Sequence, residues 1–391
     1  MNESFTIFGL TGYWYGLIAC AGALCAIALM GVLGYRRRLP AGVARMYGLI
    51  AIPVSLLCAR LLYCLVNLSY FTETLGQPLL MLRFWDGGYS MTGMLCGAVL
   101  AALPTARVMR VRFGDLLDCA AAPLAGLIAC LRFAEGYTQL GVGRYVQESA
   151  LTQSAPILFV QSRLGNSMLS SLAVYRYEAL AAGLILCVML WLFLSSRGSR
   201  KGDLGLIFFA LYGASQVVLE SLRDDGHMLW GFVRAAQLFS ALMPMLALAV
   251  FGGRYAHIRG ARWQVTLAWL LVPVAAALVV LMVAPVNHVL DLSGHIGLGC
   301  AGVALCGVYM GFFLRRKGGD ARLTLSWLAT VLALCGVILI EFNIDGSADV
   351  LRDYLLMTAC AGVLFAAPAL MWRTLRRGVY GEEHFVVTAD G

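Results

Sequence analysis

The sequence predicts an all-α, polytopic membrane protein with about 11 transmembrane helices. Of its 391 residues, 61% are apolar and only 13% are charged, and the mean hydropathy is +0.81. Water-soluble domains average about 45–50% apolar and about 25% charged residues, so a soluble globular protein is excluded. Long apolar stretches also recur along the whole chain and alternate with basic clusters, a pattern typical of multi-pass membrane proteins.

Each apolar stretch is long enough to form a membrane-crossing helix. Such a helix needs roughly 20 mostly apolar residues, because each residue adds about 1.5 Å along the helix axis. The stretches cover residues 11–35, 44–67, 88–109, 114–136, 173–195, 203–222, 231–252, 263–285, 294–314, 323–342 and 354–372.

Basic clusters follow every second span and predict the orientation of the chain. Of the 29 Lys and Arg residues, 20 lie in these clusters, at 36–45, 107–112, 197–201, 254–262, 315–322 and 373–377. Positively charged segments beside spans remain on the cytoplasmic side of the membrane. We therefore expect the N-terminus outside the cell and the C-terminus in the cytoplasm.

The segments between the spans leave little room for a soluble domain. The longest external stretch is residues 137–172, a polar segment containing Gly and Ser that we expect to form a small head. There is no Gly-rich phosphate-binding loop, and all 12 cysteines lie within spans without metal-ligand spacing. The sequence therefore predicts no cofactor, no metal site and no nucleic-acid partner.

Nine arginines lie within spans or on the outer side, where the orientation rule disfavours them. They are Arg60, Arg83, Arg132, Arg144, Arg163, Arg176, Arg223, Arg234 and Arg352. An arginine at membrane depth is costly unless it is paired or hydrated. Guanidinium groups match phosphate bidentately, so the cluster indicates a buried anion, for which phospholipid phosphate is the most available source.

The same arginines divide the chain into two parts. Eight of the nine precede residue 235, so residues 1–253 form a part with a polar core. Residues 254–391 form a plainer four-helix extension with a short tail, whose Gly- and Ala-rich helix faces suit close packing. We expect the extension to be a docking or stabilising module.

Three spans carry a polar stripe that includes an arginine. The members of each stripe are three or four residues apart, a spacing that places them on one face of a helix. They are Arg60, Tyr63 and Asn67 in the second span, Arg132 and Glu135 in the fourth, and Tyr212, Gln216, Glu220 and Arg223 in the sixth. Three such stripes predict a shared polar cavity that opens outward, with structural ion pairing as the alternative.

Several short motifs carry a family resemblance. They are Tyr13-Trp14-Tyr15-Gly16-Leu17, Ala59-Arg60-Leu61-Leu62-Tyr63, Trp85-Asp86-Gly87-Gly88-Tyr89-Ser90, Tyr177-Glu178, and the helix from Leu211-Tyr212-Gly213-Ala214-Ser215-Gln216 to Glu220 and Arg223. In this order and spacing they resemble the bacterial prolipoprotein diacylglyceryl transferase family over roughly residues 8–253. This chain is then a divergent member with a C-terminal membrane extension.

The resemblance implies a reaction, its partners and a location. Such enzymes move the diacylglyceryl group of phosphatidylglycerol, or a related anionic phospholipid, onto the lipobox cysteine thiol of a prolipoprotein, which they recognise with its signal peptide. The chemistry needs a base for the thiol and cations for the departing phosphate. The family works in the bacterial cytoplasmic (inner) membrane, so we expect a multi-pass protein there.

The resemblance also implies site residues. Arg132 matches the family's essential arginine and is expected on the phosphate, while Tyr15 is expected to orient the headgroup or substrate. The candidate catalytic residues are Arg132, Glu135, Tyr15 and Thr92, and the candidate phospholipid-binding residues are Arg60, Arg132, Gln216, Glu220, Arg223, Asp86, Ser90, Tyr177 and Glu178.

Three of these positions depart from the family pattern. The family's histidine is here Thr92, its arginine in the sixth span is Gln216, and the asparagine that follows its essential arginine is Glu135. The first change removes a proton acceptor, the second removes a positive charge, and the third introduces a carboxylate. Glu135 beside Arg132 is a candidate replacement base, although a carboxylate beside a guanidinium is a weakened one.

Two other classes of function remain open. The protein could be a catalytically inactive lipid-binding scaffold or regulator of envelope assembly, which would bind phosphatidylglycerol without turnover. It could also transport an anionic lipid or solute. A transporter should line the inner half of the membrane with polar residues, whereas the arginines of interest lie mostly in the outer half.

Overall fold

The computed structural model describes residues 4–7, 10–68, 70–138, 140–146, 157–164, 167–195, 200–224, 229–230, 233–258, 321–344 and 350–378. Within these residues, nine helices are long and apolar enough to cross a membrane. They are α1 Trp14–Arg36, α2 Val43–Val66, α3 Met91–Val108, α4 Phe113–Ala134, α5 Val174–Ser195, α6 Asp203–Ser221, α7 Ala235–Ile258, α8 Ala321–Asn343 and α9 Val350–Gly378.

Each of these helices coincides with a predicted span, so the multi-pass membrane architecture is confirmed. The predicted spans 263–285 and 294–314 lie outside the described residues.

Short antiparallel strands accompany the helices, which the all-α prediction omitted. They are β1 Ser4–Ile7, β2 Leu10–Tyr13, β3 Tyr145–Val146, β4 Phe159–Leu164, β5 Ser167–Leu172, β6 Leu229–Trp230 and β7 Val233–Arg234. Strands β3, β5 and β4 form one sheet in that order within the segment expected to be a head. The first span was predicted to begin at residue 11, but Thr11 pairs with Thr6 in a hairpin and the helix begins at Trp14.

The chain forms two compact units. One contains residues 1–195 and 219–228, and the other contains residues 196–218 and 229–391. In the first unit, α2 and α3 pack backbone to backbone at two glycines of α3. A Cβ atom at Gly97 would lie 2.5 Å from the Cα of Ser55, and one at Gly93 would lie 2.5 Å from the carbonyl oxygen of Cys58. Small residues allow such close approach between membrane helices.

A buried carboxylate joins three helices of the second unit. Asp203, the first residue of α6, is 0% exposed and pairs with Arg254 of α7. It also accepts hydrogen bonds from Trp372 Nε1 of α9 at 3.0 Å and from the backbone N–H of Arg200 at 3.1 Å. Burying a carboxylate is tolerable only when it is paired and hydrogen-bonded, so these donors make the contact possible.

Another polar contact in the same unit involves α8. Gln237 of α7 donates from Nε2 to the carbonyl oxygen of Val217 at 3.0 Å and to Glu341 Oε2 at 3.2 Å. Both α8 and α9, which lie in the predicted extension, therefore pack on the earlier helices through buried polar groups as well as apolar ones.

Asp203→Asn should lower the stability of the protein by about 3 kcal/mol, because breaking a buried ion pair leaves an uncompensated charge. Trp372→Phe should cost only about 1 kcal/mol, since Asp203 keeps its other donors. Thermal unfolding in detergent measures both, with Arg373→Ala, at an exposed arginine of α9, as a surface control. Equal losses for Asp203→Asn and the surface control would contradict a stabilising role for Asp203.

Candidate active site

Five charged side chains of the first unit form a buried network. All five side chains are 10% exposed or less. They are Arg132, Glu135, Glu178, Glu220 and Arg223, and we call this set the charged network. Each was predicted as a site residue, so the structure brings together five of the candidates.

The network is built where helix ends meet. Arg132 lies in the last turn of α4, and Glu135 opens the short 3₁₀ turn Glu135–Tyr137 that follows. Glu178 lies near the start of α5 and Glu220 near the end of α6. Arg223 comes just after α6 and forms an isolated antiparallel bridge with Gly143, which fixes the backbone that carries it.

A glycine makes room for the Glu135 carboxylate. Gly141 has a φ of +74°, a left-handed conformation that favours glycine. A Cβ atom there would also lie only 2.8 Å from Glu135 Oε2. Both the backbone conformation and the available space therefore require glycine at this position. Periodicity within helices gives no information about a turn after α4, so the sequence alone does not predict a role for Gly141.

Arg132 contacts all three carboxylates. Its Nη1 donates to Glu135 Oε1 at 2.8 Å. Its Nη2 lies 3.3 Å from Glu178 Oε1 and 3.3 Å from Glu220 Oε1. Because Arg132 is 3% exposed, these pairs are screened little by solvent and orient the guanidinium group firmly.

Arg223 shares two of the same carboxylates. Its Nη1 lies 3.1 Å from Glu178 Oε2 and 3.4 Å from Glu135 Oε2. Burial disfavours the charged guanidinium, but the carboxylates of Glu178, Glu135 and Glu220 outweigh it and raise the Arg223 pKa. Arg223 is therefore a permanent cation. Glu135 and Glu178 each connect the two arginines.

The charge balance of the network differs from the sequence expectation. The polar stripes predicted an arginine-rich cavity for an anion. Counted as formal charges, two guanidinium groups and three carboxylates instead leave one net negative charge. Spacing within single helices could not show this, since Glu178 comes from a span in which no stripe had been identified.

Tyr15 lies next to the charged network. It is the second residue of α1, is 37% exposed, and is close enough for the charges of Glu135 and Arg132 to act on its hydroxyl. The neighbouring Trp14 ring lies 6.1 Å from the ring of Tyr137, which follows Glu135 in the 3₁₀ turn. The start of α1 and the end of α4 therefore lie close together beside the charged network.

Arg60 has a different set of partners from those of the network. It is 4% exposed and donates to backbone carbonyl groups of the loop between α2 and α3. The acceptors are Met81 at 3.1 Å from Nε, Leu80 at 3.1 Å from Nη2, and Gly88 at 3.3 Å and Gly87 from Nη1. A guanidinium group carries hydrogen-bond donors but no acceptor. It therefore suits a loop in which short 3₁₀ turns do not use all the backbone carbonyl groups as acceptors.

Two other candidates also make structural contacts. Ser90 is the N-cap of α3, where its Oγ accepts a hydrogen bond from the Gly93 N–H at 3.3 Å. The Tyr177 hydroxyl donates to the carbonyl oxygen of Leu158 at 2.6 Å and so holds the segment that leads into β4. Both contacts place chain segments around the site.

The last three candidates lie in different surroundings. Asp86 is exposed in the short turn Phe84–Asp86 before α3. Thr92 is 8% exposed in the first turn of α3. Gln216 is 2% exposed in α6 and belongs to the second unit.

Comparison with known proteins identifies the family of this chain. A family model described as prolipoprotein diacylglyceryl transferase matches residues 2–252. Phosphatidylglycerol–prolipoprotein diacylglyceryl transferase from Bacillus licheniformis is 29% identical over 251 residues, which cover 64% of this chain and 91% of that protein. The proteins of the same name from Bacillus velezensis and Geobacillus kaustophilus are 28% and 29% identical, over 63% and 62% of this chain and 89% and 88% of their own lengths.

The family match covers more than half of the chain and includes all five residues of the charged network. This chain therefore belongs to the prolipoprotein diacylglyceryl transferase family.

Proposed function

We propose that the protein transfers the diacylglyceryl group of phosphatidylglycerol to the thiol of the lipobox cysteine in prolipoproteins. Family membership supports the reaction class, and the relatives' names state the same donor and acceptor. The observation that carries the proposal for this chain is the charged network. It holds two fixed cations for a phosphate and carboxylates for a proton within a few ångströms of one another.

The reaction follows from what these groups can do. The cysteine thiol gives its proton to a carboxylate, for which we propose Glu135, and the thiolate attacks the glyceryl carbon that bears the phosphate. A carbon–sulfur bond forms while the carbon–oxygen bond to phosphate breaks, and its electron pair stays on the departing glycerol phosphate. Arg132 and Arg223 stabilise the charge on that phosphate without changing their own protonation.

The other candidate residues take supporting roles in this proposal. Tyr15 orients the headgroup, while Glu178 and Glu220 hold the arginines in place. Arg60, Ser90 and Tyr177 are positioning residues because they bind backbone groups around the site.

For the last three candidates we propose roles from their location and from the residues that the family has at the same positions. We propose that the exposed Asp86 meets the polar headgroup region, and that Thr92 and Gln216 line the substrate path at positions where the family has a histidine and an arginine.

We further propose 11 spans in the cytoplasmic (inner) membrane, with the N-terminus outside and the C-terminus in the cytoplasm. The basic clusters support this orientation. Residues 1–253 are the transferase part, with residues 137–172 as its external head, and residues 254–391 are an added extension. The family match over residues 2–252 supports this division.

Complementation of a bacterial strain depleted of its own transferase tests the function. We expect wild-type protein to restore lipoprotein lipidation, read as the electrophoretic mobility of a lipoprotein. Thr92→His, which places the family's residue in the first turn of α3, should keep or raise this activity. Rescue by Thr92→His alone would identify a lipid-binding descendant without catalysis, and no rescue by either protein would contradict the proposed transferase.

A further inference from the structure

The carboxylate of Glu135 lies between the two arginines of the charged network. Its Oε1 is 2.8 Å from Arg132 Nη1, and its Oε2 is 3.4 Å from Arg223 Nη1. A phosphodiester can present its two unesterified oxygens to a pair of guanidinium groups in the same way, one oxygen to each. Glu135 therefore fills the position between the arginines that a lipid phosphate would need.

Glu135 is better able to leave this position than Glu178, the other carboxylate that connects both arginines. Glu178 lies within α5 and its side chain is 0% exposed. Glu135 follows the end of α4 in a three-residue 3₁₀ turn, and its side chain is 10% exposed. Of the two carboxylates, Glu135 is thus the more exposed, and it lies in a short turn after a helix rather than within one.

The charge balance indicates what happens when Glu135 leaves. With two guanidinium groups and three carboxylates, the network has one net negative charge, and a bound phosphodiester would make it two. An additional unpaired charge in a buried site is costly, so the displaced carboxylate gains by taking up a proton. A carboxylate without a guanidinium neighbour is also the stronger base.

We propose that Glu135 is an internal substitute for the donor phosphate. It occupies Arg132 and Arg223 before the lipid binds, is displaced by the anionic headgroup, and only then accepts the proton of the acceptor thiol. The proposal rests on the transferase function proposed above. It makes the base dependent on the donor, so that the thiol is activated only when the lipid is in place.

Binding of a short-chain phosphatidylglycerol in detergent, without any prolipoprotein, tests the displacement. Glu135→Gln keeps the size of the side chain but removes the charge that competes for the arginines. We expect this variant to bind the lipid about tenfold more tightly, because a larger fraction of the protein is then competent to bind. Phosphatidylcholine of the same chain length serves as the control for binding through the acyl chains.

Glu178→Gln is the matched control variant. It removes the same charge from the same two arginines, but from a carboxylate that is fully buried within α5. We expect it to leave binding unchanged or to weaken it, since the arginines lose a fixed support. Equal tightening in both variants would show a simple effect of net charge and would overturn the proposal, as would unchanged binding in Glu135→Gln.

The rate of transfer gives an independent measurement. Glu135→Gln should transfer the lipid at least about a hundredfold more slowly at saturating donor, because the proton acceptor is lost, while its KM for the donor falls. A lower kcat with a lower KM is a result that a merely structural role does not produce. Glu135→Met, which is similar in size and carries no charge, repeats the test if Glu135→Gln is poorly folded.

The binding and transfer experiments distinguish failure of the transferase proposal from failure of the displacement proposal. If wild-type protein transfers no lipid while Glu135→Gln still binds phosphatidylglycerol more tightly than Glu178→Gln, the transferase proposal is wrong and the displacement stands. If wild-type protein transfers lipid but Glu135→Gln shows neither tighter binding nor slower transfer, the displacement proposal is wrong.

Discussion

Arg132→Ala should abolish lipid transfer, with a loss of about 10³-fold or more in rate, comparable to removal of an arginine that stabilises a transferred phosphate. Arg132 contacts all three carboxylates of the charged network. Without it, Arg223 alone faces three carboxylates, so the network carries two negative charges and repels the donor phosphate. The rate of lipidation of a prolipoprotein in phosphatidylglycerol vesicles measures the effect.

Loss of folding must be separated from loss of chemistry in this variant. Removing one partner from a buried ion pair destabilises a protein by about 3–5 kcal/mol, so thermal unfolding in detergent is measured alongside. Arg132→Lys keeps the charge but loses the planar fork, and we expect it to be better folded and still severely impaired. If Arg132→Ala lipidates at the wild-type rate, Arg132 does not act on the headgroup.

Arg60→Met should destabilise the protein by about 1–3 kcal/mol, because the partly buried carbonyl groups of Leu80 and Met81 lose a charged donor. The methionine keeps much of the apolar volume of the arginine stem. The loop between α2 and α3 should then open, and limited proteolysis should cut it between residues 78 and 90. Thermal unfolding and the cleavage sites measure the two effects.

The matched control for Arg60 is Arg83, an exposed arginine of the same loop. Arg83→Met removes the same charge and should change stability by no more than about 0.5 kcal/mol, as is usual for surface substitutions. If Arg60→Met leaves the loop intact but weakens phosphatidylglycerol binding, Arg60 contacts the lipid directly and is not a positioning residue.

The transmembrane helices could be predicted from sequence because their cause is local. About 20 consecutive apolar residues must satisfy their own backbone hydrogen bonds in a bilayer, and a helix does so within the segment. The same locality explains the error at the first span. Thr11 lies in an apolar stretch, but it pairs with Thr6 in a hairpin before the helix begins.

The candidate site could be predicted in part for the same reason. Arg132 and Glu135 are one turn apart, as are Glu220 and Arg223, so spacing along a helix indicated both pairs. For Arg60, spacing along the helix gives the face on which the residue lies but not the groups opposite it. Its acceptors are carbonyl oxygens 20 to 28 residues further along the chain, and every residue type carries such an oxygen.

The contact of Asp203 with Trp372 has a consequence for how the protein is made. The two residues are separated by 169 positions, so the carboxylate enters the membrane region long before its indole partner has been synthesised. Contacts between residues so distant in sequence form late, after the intervening chain has been closed into a loop. We therefore expect the second unit to mature only after α9 has been inserted. A ribosome that stops before residue 372 would release a chain with an incompletely bonded carboxylate, which membrane proteases could recognise as unfinished.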